Sequence, residues 1–170
     1  MPYRPVHFIV KAIVLESSGL LLALRRAYTN ERWDLPGGRV VLPELHDTAL
    51  RRELREETGL RVSHVDISDL QTAFGDDGTY LIVATFICRA RNRAVTLSHE
   101  HVAYKWMSPA QFLDADATPY LKATIRRILS RNLPSTRRVR SPQRPVSRPA
   151  RQTDAQIAKQ GIHVRRRQVG

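Results

Sequence analysis

Glu53, Glu56 and Glu57 stand at i, i+3 and i+4, directly after Arg52, in the window 38–60 that reads GRVVLPELHDTALRRELREETGL. Residues three or four apart on a helix lie one turn above each other, so this spacing gathers three carboxylates on one face. Like charges so placed repel by roughly 0.2–0.5 kcal/mol per pair, and the arrangement calls for a cation, either a basic neighbour or a metal ion. Clustered hard oxygen ligands suit magnesium or manganese. Taken alone, a face reading RRELREE is also what a solvated salt-bridge surface looks like.

The elements that must hold these carboxylates are legible around them. Ala49, Leu50 and Leu54 form an apolar stripe at helical spacing, which buries one side of a helix while the glutamates face elsewhere. Gly59 follows the last periodic residue and is placed to close the helix in the left-handed conformation. Upstream, Trp33-Asp34-Leu35-Pro36-Gly37-Gly38 is turn-rich, and its two glycines let the backbone approach something closely. A loop and a helix together predict a metal site.

These residues match a family pattern. The Nudix box, G-x5-E-x7-R-E-U-x-E-E-x-G-U with U aliphatic, is satisfied by Gly38, Glu44, Arg52, Glu53, Leu54, Glu56, Glu57, Gly59 and Leu60, after an aromatic-x-x-Pro-Gly-Gly lead-in. The chain therefore resembles the Nudix hydrolases, over roughly residues 6–132. The resemblance implies an α/β fold, an α/β/α sandwich around a mixed sheet, and water-driven cleavage of a nucleoside diphosphate linked to a group X. Such a polyanion repels hydroxide, so Mg²⁺ or Mn²⁺ is implied as cofactor to neutralise oxygens and activate water. By the same resemblance Glu56 and Glu57 are core metal ligands, Glu53 is a further ligand or the base, and a carbonyl of Gly37 or Gly38 completes the shell. Arg52 orients a glutamate, and Glu44 serves the loop or an outer shell of the metal site.

Outside the box, Glu100 in Leu97-Ser98-His99-Glu100-His101 resembles the extra carboxylate that many members carry before a W-x-S-P-like segment, as metal ligand or general base. His99 and His101 are poor zinc candidates with a single cysteine elsewhere, and either could assist proton transfer. Arg25, Arg26, Asn30 and Trp33 are candidate substrate contacts, with Trp33 also a natural packing residue. Two habits of the family are broken at the entrance to the box: residues 39–43 read Arg-Val-Val-Leu-Pro, and Leu45 stands where a Ser or Thr cap is common. The expected results are a stiffer, more apolar loop and a helix lacking a side-chain cap.

The expected substrate is a small-molecule nucleotide, first a nucleoside triphosphate or oxidised nucleotide giving a nucleoside monophosphate. Alternatives are ADP-ribose or a nucleotide sugar, the 5′ pyrophosphate of RNA, or a non-catalytic nucleotide-binding regulator. Gly75 occupies the region where ADP-ribose hydrolases carry a proline, and Tyr80 falls late for the dinucleoside polyphosphate marker.

Charge divides the chain. Residues 1–130 carry a net +2 and residues 131–170 a net +10 of the total +12. The expected organisation is a catalytic domain over 1–132 and a basic, Pro- and Arg-rich, disordered tail over 133–170, able to bind polyanions weakly. Arginine outnumbers lysine 24 to 4, a bias that GC-rich coding produces and the ground for expecting a bacterial source. With no apolar stretch near 18 residues and no signal core, the reading is a cytoplasmic protein without membrane contact, its oligomeric state open. Cys88 lies in an apolar run and is expected to be a buried thiol.

Periodicity and turn signals predict strands over 7–16, 20–26, 62–73, 79–90 and 105–107, a short helix from Ser108-Pro109 to Leu113, and a helix over 119–131 with Leu121, Ile125, Ile128 and Leu129 inside.

Overall fold

The structure is a computed structural model and describes residues 5–27 and 32–131. The basic segment expected as a tail, and Asn30, lie outside the described residues.

The first strand, β1 (Val6–Leu15), alternates between two cores, and a hairpin turns it into β2 (Leu21–Arg26). That turn is organised by Glu16, whose carboxylate accepts from the amides of Ser18 and Leu20 and from the Ser18 hydroxyl. A two-residue strand, β3 (Trp33–Asp34), leads through the Gly37-Gly38 loop to helix α1 (His46–Thr58). Then follow β4 (Val62–Phe74), β5 (Tyr80–Ala90), β6 (His101–Met107), α2 (Pro109–Asp114) and α3 (Pro119–Ser130).

The sheet runs β3-β2-β1-β5-β4, with β6 joined to β2. Among the described strand pairs β1 and β5 run parallel, in register from Val6 beside Tyr80 to Leu15 beside Arg89, and the others antiparallel, so the sheet is mixed. The two faces carry two cores. Val10, Ala12, Val14 and Phe86 pack beneath Ala49, Leu50 and Leu54 of α1, while Ile13, Leu21 and Met107 pack against Phe112 of α2 and Leu121, Ile125 and Ile128 of α3. This is the expected α/β/α sandwich.

β1 and β2 share one rung, Leu15 with Leu21, after which β3 takes that edge of β2 while β6 runs along the other. The edge of β1 so released is taken by residues 36–40, through Ala12 N–H to Pro36 O (2.8 Å), Val10 N–H to Gly38 O (2.9 Å) and Val40 N–H to Phe8 O (2.9 Å). This divergence opens the space in which the loop before α1 meets the sheet.

The helix stripe and the glycine stop of α1 stand as expected: Ala49, Leu50 and Leu54 are fully buried, and Gly59 closes the helix at φ 70°. Leu45 caps without a side-chain hydrogen bond, also as expected. Three details differ. β3 replaces part of the expected turn, because Trp33 and Asp34 pair with Arg25 and Leu24. β6 begins at His101, four residues before the expected 105, because its partner β2 extends the ladder. Leu129 is exposed and Thr124 takes the inward place, its hydroxyl bonded to Gln71 Nε2 (2.6 Å).

Candidate active site

Gly37 and Gly38 join the helix to the sheet, and each is a glycine for its own reason. A Cβ on Gly37, at φ 122°, would sit 2.3 Å from the Val10 carbonyl oxygen; one on Gly38 would sit 2.7 Å from the Glu53 carboxylate. The first lets the loop lie on β1, and the second leaves room for an acid. The Gly37 amide donates to Glu57 Oε2 at 2.7 Å, so the loop also fixes the last glutamate of the cluster.

Arg52 organises the others. Its Nε and Nη2 grip both oxygens of Glu44 (3.0 and 2.7 Å), Nη1 donates to Glu53 Oε1 (2.7 Å) and Glu56 Oε2 (3.1 Å), and Nη2 reaches the Arg39 carbonyl (3.0 Å). Forked geometry suits a guanidinium to such a task. Glu44 also accepts from the Val41 amide, and the Arg52 pairing holds its carboxyl at about 2. This is the cation that the spacing of the glutamates calls for.

Glu57 differs from its neighbours. It is 7% exposed, and burial raises its carboxyl to about 7, with Glu53 and Asp34 adding to the shift and Lys11 and the Gly37 amide opposing it. His101 Nε2 lies 3.7 Å from Glu57 Oε1; burial lowers that imidazole's pKa, and the charges of Lys11 and Arg26 push the same way. A neutral ring beside a carboxyl follows. The Ser98 amide donates to the Glu57 main-chain carbonyl (3.1 Å), docking the 96–98 segment on the end of α1.

Lys11 is a residue that the sequence reading passed over. It is 2% exposed, donates to the Leu35 carbonyl (2.9 Å) and pairs with Asp34 Oδ1 (3.0 Å), whose other oxygen meets Arg26 Nη2 (3.2 Å). A lysine in the middle of HFIVKAIVL was the signal, since a buried ammonium must be paired. With Gly37 and Gly38 it lines a cleft of about 730 Å³ that also meets Arg26, Arg32, Arg39, the 72–79 turn and Tyr120.

Of the expected contacts, Arg26, Gly37 and Gly38 line this cleft. Trp33 does not: it is half-buried against the α2–α3 core, as its packing alternative had it. Arg25, which pairs with Trp33 along the strand, is likewise off the lining. Glu100 is exposed; its carbonyl accepts from the Ala27 amide (2.8 Å), and its charge acts to raise the His101 pKa against the larger lowering by burial. Cys88 is buried, and burial lifts its thiol to about 12.

Among the described residues no three His, Cys, Asp or Glu side chains converge in metal-holding geometry, and Arg52 donates to oxygens of Glu53 and Glu56. The chemistry of the donor set nonetheless fits a hard divalent cation. Glu57 is a carboxyl destabilised in its charged form chiefly by burial and further by Glu53, and a cation shared by both acids would oppose both effects.

Comparison with known proteins agrees with this geometry. The family model described as the NUDIX domain matches residues 5–128. A "MutT-like protein" of Streptomyces ambofaciens is 32% identical over 117 residues, covering 68% of this chain and 73% of the relative. A "Nucleoside triphosphatase NudI" of Escherichia coli is 33% identical over 105 residues, covering 56% of this chain and 74% of the relative. Among solved structures, the MutT protein from Methanosarcina mazei Go1 superposes with a TM-score of 0.69 at 28% identity, covering 78% of this chain and 99% of that one.

Proposed function

The chain belongs to the NUDIX family and is a Nudix hydrolase, and from that premise we propose that it cleaves nucleoside triphosphates to a nucleoside monophosphate and pyrophosphate. The observation that carries the reading is the shared wall: Gly37 and Gly38 face the cleft, which four basic residues line beside Asp34, Asp76 and Asp77, and also touch Glu57 and Glu53. A phosphate chain in the cleft would lie against the loop that holds the acids. The name of the nucleoside triphosphatase relative from Escherichia coli points to the same substrate class.

In this reading Lys11, Arg26, Arg32 and Arg39 face the phosphates, and the 72–79 turn with Tyr120 borders the nucleoside. Glu53, Glu56 and Glu57, with a carbonyl of Gly37 or Gly38, would hold Mg²⁺ or Mn²⁺. When bound, the ion neutralises phosphate oxygens and lowers the pKa of water. Arg52 acts by position, setting the carboxylates of Glu53 and Glu56 while Glu44 sets Arg52. Glu53 takes the proton of the attacking water or serves as a ligand. Water adds to one phosphorus, a phosphoanhydride P–O bond breaks, and pyrophosphate leaves with the bonding electrons.

The test is a hydrolysis panel of ordinary and oxidised nucleoside triphosphates, ADP-ribose, nucleotide sugars, dinucleoside polyphosphates and 5′-triphosphorylated RNA, each with Mg²⁺ and Mn²⁺. Triphosphates should give the highest kcat/KM, with monophosphate and pyrophosphate as products. A higher kcat/KM for ADP-ribose or a nucleotide sugar would overturn the substrate assignment.

A further inference from the structure

A second concavity, of about 310 Å³, is lined by Arg51, Arg55, Leu60, Arg61, Val62 and Arg91, and it shares no residue with the cleft. Three elements build it. Arg51 and Arg55 stand one turn apart on α1, away from the face of Glu53 and Glu56, while Arg61 and Arg91 flank the Val62–Ala90 rung that joins β4 to β5. The fold thus creates two like-charge pairs, one along a helix and one across two strands, and each costs stability when unanswered.

Five arginines elsewhere are answered by acids. Arg26, Arg32, Arg52, Arg127 and Arg131 all pair with carboxylates. None of the four arginines of this concavity does so among the described residues, and no acid lines it. The dipole at the end of α1 accounts for Arg55 alone, the basic residue of its last turn. Arg51 is held in place, its Nη1 donating to the Val62 carbonyl at 2.8 Å, so part of the site is ordered in advance.

We propose that this concavity is a second anion site, which binds a compact oligophosphate independently of the cleft. Four guanidinium groups offer forked donors to phosphate oxygens. The remaining lining, Leu60 and Val62, is buried and aliphatic, so no aromatic platform is present to stack a base. Recognition therefore falls on the phosphate chain rather than on a nucleobase or a nucleic-acid strand.

The test is calorimetric titration of the full chain with inorganic tripolyphosphate in buffer containing chelator, comparing the parent with Arg61→Gln/Arg91→Gln and with a control that removes two arginines elsewhere, Arg137→Gln/Arg138→Gln. The expected result is a set of amide NMR shifts at residues 60–62 and 90–92, separate from those of the cleft, whose affinity is at least tenfold weaker in the first variant and parental in the control. Equal affinity in the first variant and the parent overturns the proposal, as does an equal loss in the control. A 5′-phosphorylated oligonucleotide that loses more affinity than tripolyphosphate overturns it in favour of a nucleic-acid surface. Should the double variant fail to fold, Arg55→Gln alone must weaken tripolyphosphate binding.

Discussion

Glu57 is the residue whose surroundings and chemistry conflict most. An unfolded glutamate titrates near 4.5 and this one at about 7, so between those values the folded chain keeps a proton that the unfolded chain has lost. Stability must then fall as pH rises from about 4.5 to 7, and level off above, by roughly 3 kcal/mol at most. Glu57→Gln should remove that slope. Denaturant melts in chelator at pH 5 and pH 8 would show the parent losing stability across the interval and the variant losing less. The same variant should retain less than a hundredth of parental turnover with its fold intact. Full turnover at saturating metal would dismiss Glu57 from the site. The box was legible because the chemistry requires its spacing, glutamates at i, i+3 and i+4 beside an arginine. The buried state of Glu57 was not legible, because it depends on Lys11, Asp34 and His101, which spacing does not connect to it.

At the scale of elements, the fastening of α3 to the edge strand β4 is polar. Asp69, 4% exposed in its side chain, receives Arg127 Nη2 at 2.5 Å, and Arg127 also reaches Gln71 Oε1 at 2.6 Å while Gln71 Nε2 donates to Thr124. Arg127→Ala would leave a buried carboxylate with only the Thr124 hydroxyl and the more distant Arg131 at 3.8 Å. The expected loss is roughly 2 kcal/mol, below the 3–5 typical of broken buried pairs because Arg127 is partly solvated. Urea melts of the variant measure it, and a change under 0.5 kcal/mol would mean that the network contributes little. Helix periodicity revealed most of the inner face of α3. It misassigned Leu129 because an apolar residue can lie on a solvent-facing position, and it passed over Thr124 because a hydroxyl looks polar until Gln71 and Asp69 supply its partners. The strands were legible from alternation and turns, but β3 was too short to show a period.

For the whole molecule, one helix borders two separate regions. The acidic face of α1 meets the Gly37-Gly38 loop, whose glycines line the cleft, while Arg51 and Arg55 of the same helix border the second concavity. Among the described residues no helix is long and apolar enough to cross a membrane. If Mn²⁺ binds the box glutamates, it competes with the proton on Glu57, so its effect on the whole fold must depend on pH. Saturating Mn²⁺ at about a hundred times its Kd would add about 2.7 kcal/mol. The rise in unfolding midpoint should be larger at pH 8 than at pH 5, and smaller in Glu57→Gln at both. A pH-independent rise would place the ion elsewhere.

The ring of contacts about Arg52 also bears on how this loop can diverge. Arg52 is tied to the Arg39 carbonyl at one end of the loop and to Glu44 at the other, with Val41 N–H closing the circuit, while the side chains of Val41 and Leu42 project into solvent. Identity at positions 41 and 42 is thereby released from the chemistry, but the number of residues between Gly38 and Glu44 is not. Substitution there should therefore be tolerated and insertion should not, so that the loop can acquire a new surface character over evolution, or by grafting, without altering the distance that the arginine measures.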